Sequence, residues 1–524
     1  RSAGRPVFVA GSVAPAVSPS LRHRVPAPQR VDAIREQVDA LLEGGVDIIA
    51  FETFGHLHEL VEAVTAVADL GVPIVAQATF TMDARTPGGQ TPQEVATALS
   101  ELPVAVIGTN CTLGPQGLLT IVNAMRQATN LPISAQPNAG LPRRVGVRQF
   151  EYQIDGGYVA GYARRYIMAG ASLVGGCCGT TPVHIGTMVE ELADLREQPV
   201  ASEPDQSRIW VVELAGGDHS GDADHGAEGD LAEQLAEGRF VVAADISPPP
   251  GGVADDVLAE ASELRDRGIG MFFVAPRRWA PGHVDPTNLA LHLAQQLGVP
   301  TIATATTWDK TIMTLQADLL GAHALGVRSV VCETGNPPLR GDYPNVDGIW
   351  EVDSVGLIEL LSGLNTGRDH DGLALASKTT FHIGARFNPG ASDVDAELRR
   401  TEAKLAAGAQ FLVSRPVHEL ERFRYLVEGL GLAGRAGPAR VPVLLAVSPL
   451  RSFAQAEYLA HEVPDVIIPE ATLETMRKAG EDGLRAGRQL SVELLGQARG
   501  LARGVVLGVT GMRGETVDEL LRAI

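Results

Sequence analysis

The sequence predicts an α/β fold made of two (β/α)8-type barrels joined by an acidic flexible linker. Short apolar runs alternate with helical patterns along two long stretches, and a segment without large apolar runs separates the stretches. Strands and helices that alternate at this spacing form parallel βαβ units. For the second stretch, an open doubly wound sheet is the alternative, and it is disfavoured because no G-x-G-x-x-G turn follows any predicted strand.

The first stretch lies in a predicted domain over residues 1–198. Its strand candidates are rich in Val, Ile and Ala, as strands buried on both faces are: Val7–Ser12, Asp47–Thr53, Pro73–Thr79, Val104–Asn110, Pro132–Pro137 and Ala171–Gly176. Apolar residues at helical spacing predict helices over Arg30–Glu43 and Glu59–Leu70. Because a barrel of this type closes with eight strands, we expect the first barrel to lack its first two βα units in this chain.

The linker, residues 199–229, is followed by a second domain over residues 230–524. The acidic, glycine-rich run GGDHSGDADHGAEGD cannot bury enough apolar surface to offset its chain entropy. The second stretch has eight strand candidates and therefore predicts a complete TIM barrel. They are Phe240–Ile246, Met271–Ala275, Thr301–Thr306, Ser329–Thr334, Phe381–Phe387, Gln410–Ser414, Val443–Val447 and Val505–Val509.

Composition excludes several classes of function. The chain has 63 acidic and 43 basic side chains and a formal net charge of −20, which argues against nucleic-acid and anionic-membrane partners. No apolar run reaches the roughly 18–20 residues of a membrane-spanning helix. Four cysteines are too few for a disulfide scaffold, so we expect a cytoplasmic protein. A homo-oligomer is compatible with this sequence.

Three of the four cysteines stand at the ends of predicted strands. Cys111 follows the strand that ends in GTN, and Cys177 and Cys178 follow the strand that ends in GG. The C-terminal ends of barrel strands meet at one face, so we expect three sulfurs to point to one place. Three thiolates suit a soft, tetrahedral ion such as Zn²⁺, with the fourth position open in a catalytic site. The alternative is three inert cysteines that pack as small hydrophobic residues.

The segments around these cysteines resemble homocysteine S-methyltransferases, over residues 5 to about 195. GGCCGTTPVHI and the upstream GTNC are similar to the family's zinc-binding segments, and PVFVAGSVAP, GGVDIIAFET and AQPNAG stand in the family's order. The resemblance implies that Cys111, Cys177 and Cys178 bind zinc and that the homocysteine sulfur takes the open position. The implied methyl donor is a folate or a methyl sulfonium compound. Glu52 and Asn110 would lie near the substrate, or would only make ordinary strand-end hydrogen bonds.

Residues 230–524 resemble methylenetetrahydrofolate reductases, most closely the form fused behind a homocysteine methyltransferase. The similar segments are DLAEQLAEGRFVVAADISPPPGG, LQADLLGAHALGVRSVVCETGNPP, VDSVGLIELLSGLNTG and FHIGARFNP, in the family's order. The resemblance implies FAD in the barrel mouth and hydride transfer from NAD(P)H through the flavin to a folate.

Four positions depart from the pattern of that family. Asp245 stands for the glutamate that acts as general acid, and Arg415 for a glutamine that contacts folate or nicotinamide. The implied flavin contacts are Thr304 and Thr306 on the third strand, Thr334, Gly335 and Asn336 after the fourth, and Asp353 and Ser354. The family's His-Leu-Thr at the third strand is Thr304, Ala305 and Thr306 in this chain. Asn336 replaces an aspartate of the family, which removes a negative charge expected beside the flavin. Asp353 and Ser354 serve equally well as helix caps.

The sequence therefore predicts a bifunctional enzyme of methyl-group metabolism. The second barrel would produce methyltetrahydrofolate, and the first would transfer a methyl group to homocysteine and give methionine. One alternative is a homocysteine methyltransferase whose second barrel is a non-reducing folate-binding, regulatory or structural module. The other is a scaffold without catalysis. Zinc without flavin would favour the first alternative, and the absence of both cofactors would favour the second.

Overall fold

The computed structural model describes residues 7–17, 22–144, 150–197, 230–276, 283–335, 348–432 and 441–524. The chain forms two compact units; one holds the strands before residue 198 and the other the strands after residue 230. The predicted linker, 199–229, lies outside the described residues.

A six-stranded parallel sheet forms the centre of the first unit. Its strands, in sheet order, are β1 (Ala10–Val13), β2 (Ile48–Phe54), β3 (Ile74–Ala78), β4 (Val106–Asn110), β5 (Ile133–Gln136) and β8 (Ala171–Val174). Two short antiparallel strands, β6 (Arg143–Arg144) and β7 (Phe150–Glu151), form a hairpin between β5 and β8. Among the described residues, β1 and β8 each pair on one side only, so the sheet is open.

Helices follow the strands of this sheet, as parallel connections require. They are α1 (Ala27–Glu43), α2 (Leu57–Val67), α3 (Pro92–Ser100), α4 (Pro115–Arg126), α5 (Gly156–Met168) and α6 (Pro182–Glu191). Helix α1 buries Ile34 and Val38, one turn apart, as its apolar periodicity predicts. Strand β3 is buried at all five positions, which is expected for a strand covered on both faces.

The second unit is a closed barrel of eight parallel strands. They are β9 (Val241–Ile246), β10 (Met271–Val274), β11 (Thr301–Thr306), β12 (Ser329–Glu333), β13 (His382–Phe387), β14 (Phe411–Ser414), β15 (Val443–Val447) and β16 (Gly504–Leu507). Neighbours in sequence are neighbours in the barrel, and β16 pairs with β9 to close it. This is the TIM-barrel architecture.

The helices of the second unit are α7 (Leu231–Ala236), α8 (Asp255–Asp266), α9 (Pro286–Leu297), α10 (Ile312–Ala324), α11 (Ser354–Thr366), α12 (Val394–Ala406), α13 (Glu421–Gly429), α14 (Phe453–His461), α15 (Glu470–Ala479), α16 (Gly483–Ala498) and α17 (Gly514–Ala523). In the part of the chain that the structure describes, no helix has both the length and the apolar character needed to cross a membrane.

Alternate residues of the barrel strands face inward. The inward-facing apolar cluster contains Val241, Ala243, Met271, Phe273, Ile302, Val331, Phe411, Val413, Leu444, Ala446 and Val506. The residues between them on the same strands belong to a different cluster, which packs against the surrounding helices. The barrel interior is thus a filled core. In barrels of this type, ligands lie on the face formed by the C-terminal ends of the strands.

The predicted fold class is confirmed. All fourteen predicted strands are present, each within three residues of its predicted ends. The six-stranded parallel sheet agrees with the expectation of a barrel-like unit with six βα units, and the second unit closes as predicted. The β6–β7 hairpin was not predicted, because two-residue strands leave no periodic pattern in the sequence.

Candidate functional site

The three strand-end cysteines of the first unit lie together. Cys111 directly follows β4, and Cys177 and Cys178 follow β8, two positions away in the sheet. Their three sulfur atoms all lie within 4.8 Å of one another, and the Cys111 and Cys178 sulfurs are 3.8 Å apart. Convergence of parallel strand ends at one edge brings residues 66 positions apart into contact, as the sequence predicts.

The backbone at Cys111 is held in an unusual conformation. Cys111 and Thr112 both have φ of 60°, in the left-handed region that non-glycine residues rarely adopt. The Cys111 amide donates to the Gln136 carbonyl at 3.0 Å, and the Thr112 hydroxyl lies 2.6 Å from the Thr79 hydroxyl. These bonds offset the strain and direct the Cys111 side chain toward the other two cysteines.

The segment after β5 anchors the paired cysteines. The Cys177 amide donates to the Pro137 carbonyl at 2.7 Å, and the Cys178 amide donates to the Asn138 side-chain oxygen at 3.1 Å. The Ala139 amide in turn donates to the Cys178 carbonyl at 2.8 Å. The sequence AQPNAG therefore holds the paired cysteines through backbone contacts and the Asn138 side chain, although its side chains offer no ligand for a soft metal ion.

Two positions beside the cysteine pair, Gly176 and Gly179, have no room for a Cβ atom. A Cβ atom at Gly176 would collide with the Thr180 side chain. Gly179 has φ of 78°, and a Cβ there would collide with the Tyr152 ring. The close approach of backbone to side chain on both sides of the cysteines explains why the pair is embedded in glycines.

The donor set fits a soft metal ion. Cys111 is buried and Cys177 and Cys178 are half-buried, so the cluster has one side open to a fourth ligand. Contacts with the other two thiols, together with burial, raise the pKa of the Cys177 thiol, so close packing of three thiols without a cation favours the neutral form. Three sulfurs with an open fourth position is the arrangement of a catalytic zinc centre. Cys332 lies elsewhere, fully buried in β12, as expected for a core residue.

Glu52 and Asn110 both lie beside the cysteine cluster. Asn110 is fully buried; its side-chain oxygen accepts from the Thr53 amide at 2.7 Å, and its nitrogen is 3.8 Å from the Cys177 sulfur. The same nitrogen lies 3.3 Å from a Glu52 carboxylate oxygen. The other Glu52 oxygen accepts from the Ser12 hydroxyl. Glu52 and Asn110 therefore make strand-end hydrogen bonds and also lie beside the cysteine cluster. Ser12 and Thr53, which the sequence analysis did not name as site residues, contact them.

In the second unit, five side chains form a polar layer over the apolar barrel interior. The polar layer consists of Asp245 (β9), Thr304 (β11), Glu333 (β12), Arg386 (β13) and Arg415, which directly follows β14. Each has the inward parity of its strand and lies toward the strand's C-terminal end, the end at which barrel active sites lie. Asp245 and Arg415, predicted as catalytic and substrate-binding, thus share one surface.

Ion pairs connect the polar layer. Glu333 accepts from Arg415 at 2.8 Å with one oxygen, and its other oxygen lies 3.1 Å from the Arg386 Nε. The Arg386 guanidinium lies over the Phe273 ring, 4.7 Å from its centroid. Burial raises the pKa of Asp245 to about 6, and the neighbouring Arg386 and Arg415 only partly oppose this rise. A carboxyl that is half-protonated near pH 6 can donate a proton near neutrality.

Glu333 and Arg386 are functional candidates that sequence reasoning missed. Each is a charged residue within an otherwise apolar strand, SVVCE and HIGARF. Buried charges are costly unless they are paired, so two opposite charges on adjacent barrel strands at inward positions indicate a pair. Strand parity marks each charge as inward-facing, but their pairing follows only from the register of the closed barrel.

The residues expected to contact a flavin are mostly engaged in local structure. Asp353 caps α11 by accepting from the Val355 and Gly356 amides, and Ser354 is buried in the first turn. The Thr334 hydroxyl accepts from the Ser354 amide at 3.1 Å, and Gly335 lies against Trp308, which leaves no room for a Cβ. These contacts match the cap alternative, and the flavin contacts of these residues stay a prediction.

The remaining residues of that set differ in their surroundings. The Thr306 hydroxyl is 3.4 Å from an Asp309 carboxylate oxygen. Thr304 is 1% exposed and belongs to the polar layer. Asn336 lies outside the described residues. Among the described residues, Thr304 thus links the predicted flavin contacts to the polar layer.

Comparison with known proteins supports two domain families. The family model described as homocysteine S-methyltransferase matches residues 1–192, and that described as methylenetetrahydrofolate reductase matches residues 230–505. The methionine synthase of Mycobacterium tuberculosis is 34% identical over 221 residues, which are 40% of this chain and 18% of that protein. The chain thus spans less than a fifth of this relative's length.

Two solved structures are also similar. The apo form of the homocysteine methyltransferase MmuM from Escherichia coli is 25% identical, with a TM-score of 0.28, covering 35% of this chain and 62% of that one. An uncharacterised protein from Clostridium thermocellum, described as binding two copies of 5-methyl-5,6,7,8-tetrahydrofolic acid, is 13% identical, with a TM-score of 0.41, covering 56% and 97%.

The two family matches cover separate parts of the chain, in the order in which the two units occur. The second match alone covers more than half of the sequence. The chain belongs to the methylenetetrahydrofolate reductase family and is a fusion of a homocysteine S-methyltransferase domain with a methylenetetrahydrofolate reductase domain.

Proposed function

We propose that the first unit transfers a methyl group to the sulfur of homocysteine at a zinc ion and produces methionine. The observation that carries the proposal is the cluster of three cysteine sulfurs within 4.8 Å at the ends of β4 and β8. Its place in a unit that matches the homocysteine S-methyltransferase family supports the substrate.

Cys111, Cys177 and Cys178 would hold the zinc and leave the fourth position to the substrate sulfur. Bound zinc lowers the pKa of a coordinated thiol, so that the sulfur becomes a nucleophile at neutral pH. Asn110 would keep the Cys177 side of the site in place, because it joins Thr53, Glu52 and that sulfur. The Glu52 carboxylate would face the cationic amino group of the substrate.

We propose that the second unit acts on a folate as a methylenetetrahydrofolate reductase. Asp245 is the residue that supports a proton-donating step, because burial keeps its carboxyl protonated to about pH 6. The family implies FAD as the cofactor and NAD(P)H as the hydride donor, and Thr304 and Thr306 of β11 are the described candidates for contact with the flavin ring. The methyltetrahydrofolate produced would be the methyl donor, and a methyl sulfonium compound is the other candidate.

A reducing compartment suits a site of three free thiols, so we propose that the chain acts in the cytoplasm. Its partners would be small molecules: homocysteine, a folate and a nicotinamide.

The test is methionine formation by the purified full chain, measured by mass spectrometry. Homocysteine is supplied with either 5-methyltetrahydrofolate or S-methylmethionine, so the two arms identify the donor. Cys177→Ser should lower the rate by at least roughly 100-fold, as expected for loss of a direct ligand. Cys332→Ala is the matched control and should retain activity, because Cys332 lies in a strand core of the other unit. No methionine with either donor, or equal activity of the two variants, would refute the proposal.

A separate assay tests the second unit. The full chain is supplied with 5,10-methylenetetrahydrofolate and NADH or NADPH, with and without added FAD, and nucleotide oxidation is followed by absorbance. Oxidation that requires the folate supports the reductase. A wild-type chain that oxidises neither nucleotide under any of these conditions excludes it, whatever the first assay shows.

A further inference from the structure

The polar layer of the second unit contains four buried polar atoms that have no hydrogen-bond partner among the described residues: Asp245 Oδ1, Thr304 Oγ1, Arg386 Nε and Arg386 Nη1. Arg386 Nε lies 3.1 Å from a Glu333 oxygen in an ion pair, which leaves three atoms for a ligand. A buried polar group without a partner costs free energy, and such groups in native proteins commonly mark a place where a ligand completes the bonding. Three of them in one layer at the C-terminal end of a barrel are a built site and not scattered defects.

Arg386 is held rigidly in this layer. Glu333 lies between the two arginines and contacts each through a different oxygen, at 3.1 Å to Arg386 and 2.8 Å to Arg415. The Phe273 ring lies under the guanidinium, and the Lys404 ammonium donates to the Arg386 carbonyl at 2.6 Å. Arg386 is 9% exposed, and its Nη1 is buried without a hydrogen-bond partner among the described residues.

We propose that Arg386, positioned by Glu333, is the specificity-determining residue of the second barrel and recognises the pyrimidinone edge of a bicyclic or tricyclic ligand. Arg386 Nη1 donates to the ring carbonyl, and the Thr304 hydroxyl bonds a neighbouring ring heteroatom. This inference rests on the proposed action of the second unit on a folate and assigns the contact that selects it.

The ring carbonyl of a pyrimidinone matches the unpartnered Arg386 atom in kind, because a carbonyl oxygen accepts and a guanidinium N–H donates. A cationic donor forms a strong hydrogen bond with a carbonyl oxygen, whereas an amino group in its place offers a second donor. Both the pterin of a folate and the isoalloxazine of a flavin carry this edge, so binding experiments must separate the two sources.

The decisive probes are folic acid and aminopterin, which differ in the ring carbonyl that aminopterin replaces with an amino group. Their affinities for the full chain are measured by calorimetry in wild type and Arg386→Met. We expect the ratio of folic acid to aminopterin affinity to fall by roughly tenfold in the variant, the loss typical of one charged hydrogen bond. A parallel titration with FMN shows whether a flavin uses the same edge.

Arg399→Met is the matched control, since it removes the same charge from an exposed position on α12. Thr304→Val is the second variant; it keeps the volume and removes a hydroxyl without a partner, so it should fold at least as well as wild type. It should weaken folic acid or FMN binding by roughly threefold.

Several results would overturn the inference. They are a wild-type chain that binds neither folic acid nor FMN at millimolar concentration, an affinity ratio that is unchanged in a folded Arg386→Met, and a Thr304→Val variant with wild-type affinity. If Arg386→Met does not fold, the Thr304→Val result decides. Arg386-dependent folic acid binding without nucleotide oxidation in the reductase assay would refute the proposed reduction and leave this inference standing.

Discussion

At the scale of single residues, the left-handed backbone after β4 is the feature on which the cysteine cluster depends. Cys111 and Thr112 share φ of 60°, which costs an L-residue about 1–2 kcal/mol each. The hydrogen bonds of Cys111 with Gln136 and of Thr112 with Thr79 maintain this conformation. The strained backbone therefore lowers the stability of the loop, and it directs the Cys111 thiol toward those of Cys177 and Cys178.

Comparison of Thr112→Gly with Thr112→Ala isolates this strain. Both substitutions remove the hydroxyl bonded to Thr79, but only glycine adopts φ of 60° without steric cost. We expect the glycine variant to be more stable than the alanine variant by about 1 kcal/mol. Chemical denaturation of the two full-length variants measures the difference. Equal stability, or a more stable alanine variant, would show that position 112 is not strained.

Asp245 makes the stability of the second unit depend on pH. Its pKa is about 6 in the folded chain against 3.8 for the free side chain, so the folded state binds more protons between these values. Folding stability therefore falls as pH rises from about 4 to 6, and the whole penalty is present above pH 6.

Asp245→Asn removes this penalty. The variant should be more stable than wild type at pH 7.5 by about 1–3 kcal/mol, since one pKa unit corresponds to about 1.36 kcal/mol. Its advantage should disappear near pH 4. Thermal unfolding at the two pH values provides the measurement, and a difference that does not depend on pH would contradict the assigned titration.

At the scale of secondary-structure elements, the residue before α11, Asp353, had two expected roles: a helix cap and a flavin contact. Asp353 accepts from the amides of Val355 and Gly356, which is the geometry of an N-cap. Asp353→Ala should therefore destabilise the chain by about 1 kcal/mol, while Asp353→Ser should retain most of the stability. Neither should change the affinity for FMN or FAD. Loss of flavin affinity in the serine variant would show that this carboxylate is a cofactor contact after all.

Much of the element-level structure was predictable, and the reason is burial. Strands such as β3 and β15 are buried at every position, so continuous apolar runs mark them. The cysteine cluster was also predictable, because strand order places the ends of β4 and β8 at one edge.

Other parts of the site were not predictable from local pattern. The Glu333–Arg386 pair joins strands whose charged residues are 53 positions apart in sequence, and each charge alone interrupts an apolar run. The roles of Asp353 and Thr334 depend on which amides their oxygens reach, and sequence spacing leaves that open. Side-chain partners across a barrel require the closed register, which the sequence encodes only indirectly.

At the scale of the whole molecule, the two units differ in whether the described strands leave unpaired sheet edges. Every strand of the barrel pairs on both sides, whereas β1 and β8 of the first sheet each pair on one side among the described residues. Unpaired edges favour association with other strands. Residues 230–524 expressed alone should therefore give a soluble protein with cooperative unfolding, and residues 7–197 alone should be much less soluble. Circular dichroism and sedimentation of the two pieces test this expectation, and an aggregated barrel piece would contradict it.

In the proposed function of the first unit, three cysteine sulfurs form a zinc site whose fourth position takes the sulfur of homocysteine. X-ray absorption at the zinc edge of the full chain, before and after addition of homocysteine, tests this directly. We predict three sulfur ligands at roughly 2.3 Å and one lighter ligand without substrate, and four sulfur ligands with it. A chain that binds no zinc, or a zinc site whose sulfur count does not rise when homocysteine is added, would contradict the account.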